Sequence, residues 1–218
     1  MRPSGQLRDL HSSFQQRLAR TRAKAASSLV GPPKWSTSLD LVVCYAVLEI
    51  YSSWATFSRS FFLSEVRSAV TLSGKRITIA PAITDERAAL VAAIKRCKGA
   101  TAVPSSTRKI THRDEPSWFL PATLTNSSDE IKASNKPEIL AAFSTKATVF
   151  RDLTTFRIFY AHRGEDNASK AVDIASKYSL PRPTHPTLLL NTPASGRSQA
   201  LLLDFMDELR ITAELLCR

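Results

Sequence analysis

The 218-residue chain has few cysteines, histidines and glycines, and each shortage narrows the chemistry open to it. Its three cysteines, Cys44, Cys97 and Cys217, are odd in number and far apart. Neither a disulfide framework nor a paired-ligand metal motif can be read from them. Together with the four histidines they offer no pair at the short spacing that zinc sites use. No metal and no cofactor is expected, and unpaired thiols of this kind fit a reducing cytoplasm. Among the six glycines, Gly74 sits in Ser73-Gly74-Lys75, which lacks the preceding glycine and the spacing of a P-loop. Long apolar runs are missing too. The most apolar stretch, Leu41 to Leu48, is flanked by Asp40 and Glu49 and is far shorter than the roughly 20 residues that span a bilayer. The N-terminus is polar and basic, without the apolar core of an export signal. A soluble protein with no membrane partner is expected, and no internal repeat is evident.

What is present in excess is positive charge. Thirty Lys and Arg stand against 19 Asp and Glu, a formal net charge of +11. A polyanion is the natural partner of such a chain, nucleic acid before membrane, because the cations do not gather beside a lipid-seeking segment. Apolar content of 43% and charged content of 22% otherwise describe an ordinary globular protein.

Periodicity reads as all-α. Residues 6–26 carry Leu7, Leu10, Phe14 and Leu18 on one helical face, with Arg17, Arg20, Arg22 and Lys24 toward the end. Gly31-Pro32-Pro33 then breaks the chain, which makes residues 1–35 a basic helical arm and linker. The longest helix is expected over 38–72, capped by Ser38, with Asp40 in its first turn. Leu41, Tyr45, Leu48, Ser52 and Ala55 share one face of it, and Glu49, Ser53, Thr56 and Ser60 form a polar strip beside Arg59. Thr84 caps a helix to about Lys98, ended by Gly99.

Residues 99–136 lack a period and read as an irregular insertion, with Arg108, Lys109, His112 and Arg113 near Trp118-Phe119. Cations interleaved with aromatics suit single-stranded RNA, while the plainer reading has Trp118 and Phe119 anchoring the loop to the core. Pro137 opens a helix, the segment to His162 forms another, and Asp166 or Asn167 caps a third to about Tyr178. Residues 179–197 read as a Pro-rich loop in which His185 is structural or incidental, and 198–217 as the last helix. The expectation for 36–218 is one helical bundle of about five to six helices.

Within the segment that ends at His162, Leu153, Phe156 and Tyr160 mark one buried face. Arg157 lies one step off that stripe. His162 follows five residues later, about 140° around and about 7.5 Å along the axis, with Gly164 as the expected stop. Arg offers a permanent charge and a planar fork of donors suited to phosphate oxygens, and His exchanges protons near neutral pH. Those are two requirements of metal-free phosphodiester cleavage. The plain alternative is a helix-surface Arg beside a helix-terminal His. Glu49 is a candidate partner that would orient Arg157.

The run Leu153-x2-Phe156-Arg157-x-Phe159-Tyr160-Ala161-His162-Arg163 resembles the Arg-x4-His signature of the HEPN superfamily, many of whose members are metal-independent ribonucleases. Leu48-Glu49-x4-Trp54-x2-Phe57-x-Arg59 is similar to the long N-terminal helix of those domains. The resemblance covers 36–218 and is firmest over 148–165. Two positions depart from it. Ile158 stands where the family often has Asn or another polar residue. Arg163-Gly164 replace the His-x-Tyr extension of toxins silenced by nucleotide transfer, which argues against that regulation.

The resemblance implies a HEPN-like helical bundle with His162 as general acid/base, Arg157 on the phosphate and Glu49 orienting it. Arg163, Arg59 and Tyr160 would hold RNA. It further implies a homodimer, because two such motifs then line one cleft, and a toxin or antiviral defence role with tRNA or other cellular RNA as substrate. An antitoxin or defence-complex partner fits the same picture. Two other readings stand beside it: a non-catalytic HEPN-like module that binds RNA or a nucleotide or docks a partner, and a scaffold whose Arg and His are structural.

Overall fold

The computed structural model of the chain describes residues 1–29, 34–144 and 148–218. The Gly31-Pro32-Pro33 break expected from the sequence lies outside the described residues. Nine α-helices are found among them: α1 Leu7–Ala26, α2 Thr37–Val66, α3 Glu86–Lys98, α4 Pro121–Glu130, α5 Lys136–Ser144, α6 Thr148–His162, α7 Glu165–Val172, α8 Pro186–Asn191 and α9 Leu201–Cys217. Short 3-10 segments occupy Ala100–Ala102 and Asp173–Tyr178. The all-α class expected from periodicity is correct, and the count of five to six helices is too low.

The extra helices are short and begin at prolines. Pro121 opens α4 inside the stretch read as irregular, and Pro186 opens α8 inside the stretch read as a Pro-rich loop. Proline lacks only a donor that the first turn leaves unused, so both prolines act as starts where they were read as breaks. Helix starts also shift by one or two residues. Ser36, not Ser38, accepts the Leu39 amide at 3.1 Å, and Asp85, not Thr84, accepts the Ala88 amide at 2.8 Å. Gly164 precedes α7 with an ordinary φ of −78°. The left-handed residue that ends α6 is instead Arg163, at φ 51°. α2 stops at Val66, because Ser68 turns left-handed (φ 53°) and Val70 then bridges to Gln6 and Arg76.

The chain divides into two compact units, and α1, α2 and α9 contribute residues to both. In the first (Met1–Phe14, Trp54–Lys146, Thr212–Arg218), the rings of Phe14, Trp54 and Phe57 cluster at 4.8–5.8 Å. Trp118 packs on Phe62 at 5.1 Å. Its indole N–H donates to Glu115 at 2.7 Å, and Arg59 grips both oxygens of the same carboxylate at 2.6 and 2.7 Å. A buried carboxylate holding two donors fixes the irregular segment, so Trp118 and Phe119 are anchors, as the plainer reading had it.

In the second unit (Gln15–Ser53, Ala147–Ile211), Val43, Val47, Ile50, Leu153, Phe156, Leu189, Leu202 and Phe205 form the core. α2 is long and apolar enough to cross a membrane by length and composition, with 44% of its most apolar window buried inside the protein.

Candidate functional site

α6 carries the Arg-x4-His pair on its exposed side, while Val149, Leu153, Phe156, Phe159 and Tyr160 face the core. Arg157 and His162 are both exposed. The Arg157 guanidinium lies over the ring of Tyr51 on α2, 5.5 Å from its centroid. On the helical wheel Ile158 falls between Arg157 and His162, and it is 37% exposed, an apolar residue in the middle of the polar pair.

Glu49 does not orient Arg157. Its carboxylate accepts from Arg17 Nε on α1 at 2.6 Å and from Ser53 Oγ at 3.3 Å. The reason is helical geometry. Glu49 and Tyr51 are two residues apart, so they leave α2 about 160° apart, and only the Tyr51 side meets α6. The cation that approaches Glu49 comes from α1, whose pattern of Arg and Lys near the helix end was legible without its partner.

The residues expected to hold RNA fall into different places. Arg163 is bound to Asp40 in the first turn of α2, Nη1 to Oδ2 at 2.6 Å. Its guanidinium also sits 5.4 and 5.0 Å from the ring centroids of Phe159 and Tyr160. Tyr160 is a correction. It is only 5% exposed, with its hydroxyl 2.8 Å from Thr187 Oγ1, so no base can stack on it. Burial pushes its phenol well above the usual tyrosine range. Arg59 belongs to the other unit, half-buried and held by Glu115. Of the six nominated residues, Arg157 and His162 remain open on one helix, and neither meets a carboxylate among the described residues.

A buried relay that the sequence did not advertise supports this helix end. Thr187 Oγ1, at the start of α8, donates to Asp40 Oδ1, and the Asp40 carboxylate thereby serves Thr187 and Arg163 together. Further back on α6, the fully buried Asp152 is paired with Lys177 and accepts from Tyr178 Oη at 3.0 Å. His185 caps α8, its Nδ1 accepting the Thr187 amide at 3.2 Å. A Pro-rich loop with a His before Pro-Thr was the only signal for that cap.

The chain matches no protein-family model, no curated protein and no solved structure.

Cys44, Cys97 and Cys217 are free thiols. No cluster of three or more His, Cys, Asp or Glu side chains among the described residues is placed to hold a metal ion. The α6 end presents one fixed cation, one titratable imidazole and, between them, an apolar side chain.

Proposed function

We propose that this protein is a metal-independent endoribonuclease of the HEPN type, with a site assembled from two copies of the α6 end in a homodimer. The observation that carries the reading is the exposure of Arg157 and His162 on one helix without a neutralising carboxylate among the described residues, while Arg17, Arg59 and Arg163 are all ion-paired. RNA brings its own nucleophile, the 2′-hydroxyl, so the protein need supply only positioning, proton transfer and charge stabilisation.

In this mechanism the Arg157 fork takes two phosphate oxygens and meets the charge that builds on them at the transition state. The ring of Tyr51 beneath it holds the guanidinium without lowering its charge. The His162 imidazole removes the 2′ proton or returns one to the leaving 5′ oxygen. Since the two side chains leave α6 about 140° apart, one chain does not aim both at a single phosphate. A second copy does, with Ile158 as an apolar contact between the facing helices. The net charge of +11 suits an RNA partner, tRNA or another cellular RNA, in the cytoplasm. A toxin or antiviral effector is the role such an activity serves, with an antitoxin or defence-complex component as its restraint.

The test is incubation of purified protein with total RNA in EDTA, beside Arg157→Ala and His162→Ala. Cleavage that survives chelation and disappears in both variants supports the proposal. RNA retained but uncut by the wild-type protein supports instead a non-catalytic module, a reading favoured by the exposed apolar Ile158 between the two polar groups.

A further inference from the structure

The face of α2 that the sequence groups as Leu41, Tyr45, Leu48 and Ser52 does not enter the core. Leu41 is 62% exposed, Tyr45 44% and Leu48 37%, and Ser52 is exposed as well. The core is served by the opposite side of the helix, through Val43, Val47 and Ile50. Spacings of four, three and four place the exposed residues in one ridge about three turns and about 16 Å long. Three large apolar side chains in a row on one solvent-facing helix are not scattered exposure of the ordinary kind.

Both borders of this ridge are basic. On one side α1 approaches, with Lys24 Nζ 5.2 Å from the Tyr45 ring centroid and Arg17 on Glu49. On the other side α6 approaches, with Arg157 over Tyr51 and Arg163 on Asp40. The wheel agrees: Glu49 stands about 80° to one side of the ridge, and Asp40 and Tyr51 about 80–100° to the other. The two acids along the ridge are already neutralised by Arg17 and Arg163. Lys24 and Arg157 are exposed, each lying over a tyrosine ring, and neither meets a carboxylate among the described residues.

We infer that this ridge is a docking face for an amphipathic helix of a protein partner, one whose apolar stripe is flanked by Asp and Glu. An apolar seam with cationic borders is complementary to that helix in shape and in charge. The other occupants fit less well. Two copies of the ridge face to face would bring the Lys24 borders of the two chains against like charge, with no free acid along the ridge to offset it. Leu41 and Leu48 offer no ring for a nucleobase to stack on, and the one ring in the ridge, Tyr45, already has Lys24 over it. The inference does not depend on ribonuclease activity and stands or falls by binding alone.

The test uses the full chain and two synthetic peptides of about 18 residues. Both carry leucine at i, i+4 and i+7 repeats, one with glutamate on the flanks and the other with lysine. Expected is binding of the glutamate peptide alone, weakened roughly tenfold or more by Leu41→Ser with Leu48→Ser and by Lys24→Glu, and weakened again as salt rises from about 50 to 500 mM. Leu41 and Leu48 are exposed, so the double variant keeps the wild-type melting temperature, and a variant that melts early is replaced by Lys24→Glu as the deciding arm. Equal binding of both peptides, or binding of neither, overturns the inference. So does a wild-type dimer in sedimentation that the double variant abolishes, which would make the occupant a second copy. Retention of a single-stranded oligonucleotide that the double variant abolishes overturns it in favour of RNA.

Discussion

Arg163 Nη1 stands 2.6 Å from Asp40 Oδ2, so the residue that follows His162 is tied to the first turn of α2. The same Asp40 accepts from the buried Thr187 hydroxyl, which in turn meets Tyr160 Oη. One carboxylate therefore holds the end of α6, the start of α2 and the start of α8 in a single hydrogen-bonded set. Asp40→Asn keeps an acceptor for Thr187 but turns an amide NH2 toward the Arg163 donor, so it loses both the charge and the hydrogen bond of a partly exposed pair, at a cost of about 1 kcal/mol. Asp40→Ala strands a buried hydroxyl as well and is expected to cost about 2–3 kcal/mol. Urea titration of both variants checks this. A loss of a few tenths in Asp40→Ala would mean that water replaces the carboxylate without penalty.

Asp152 is buried on α6 and is held by Lys177 and the Tyr178 hydroxyl. Lys177→Met leaves that carboxylate with one neutral donor. Removing a partner of a buried charge is more damaging than its attraction suggests, because the remaining ion stays desolvated. The Lys177 side chain is itself partly exposed, which moderates the effect to about 1–3 kcal/mol. Asp152→Asn with Lys177→Met removes both charges and is expected to recover part of the loss. A double variant less stable than the sum of the singles contradicts the account.

The helices were legible because their apolar residues recur at three and four: α1, α6 and α9 lie where that spacing puts them, and α3 lies close to where its cap signals put it. The short helices α4 and α8 were hidden, because ten and six residues hold too few turns for a period to show. The Arg157–His162 pair was legible as chemistry, since both side chains carry their function in their type. Partner choice was not. Glu49 meets Arg17 and Arg163 meets Asp40 because of which helices lie side by side, and residues 32 and 123 positions apart leave no local trace of each other. The same holds for α2: its sequence shows two apolar faces, and only the packing decides that Leu41, Tyr45 and Leu48 stay outside.

Tyr51 holds Arg157 through the face of its ring. Under the ribonuclease reading it is a positioning residue, and ring and hydroxyl can be separated. Tyr51→Phe retains the face and leaves cleavage near wild type. Tyr51→Leu removes a cation–π contact of about 0.5–1 kcal/mol and lowers cleavage about two- to fivefold. Loss in the Phe variant equal to that in the Leu variant would place the role in the hydroxyl instead.

Glu65 is completely buried on α2, its Oε2 accepting from Ser128 Oγ at 2.7 Å and its Oε1 without a partner among the described residues. Burial raises its pKa from 4.5 to about 8, against the smaller opposing effects of the Ser128 hydrogen bond and of the nearby Asn135 amide. The folded chain thus keeps a proton that the unfolded chain gives up above 4.5. Stability from this group is intact below 4.5 and is lost progressively as pH rises toward 8. Glu65→Gln is neutral throughout. It is expected to melt close to wild type at about pH 5 and above it at about pH 8. Parallel curves across that range would show that Glu65 is charged in the folded protein.

His185 tests the opposite sign. Its Nδ1 caps α8 by accepting the Thr187 amide, which requires an unprotonated nitrogen. Burial lowers its pKa from 6.5, Arg163 pushes the same way, and Asp40 opposes. The rings of Phe159 and Trp35 flank it at 5.5 and 6.1 Å. The unfolded chain therefore takes up a proton first as pH falls. The contribution of this group is full above 6.5 and is lost as pH drops through the lower folded value. His185→Asn supplies another capping acceptor that does not titrate. Melting temperatures of the two proteins are expected to run parallel above about pH 7.5, with wild type falling away from the variant below about pH 6. His185→Ala loses the cap at every pH and is expected to sit about 1 kcal/mol below wild type at pH 8. A wild type that holds its distance from the Asn variant down to about pH 5 would mean that Nδ1 is not the acceptor that starts α8.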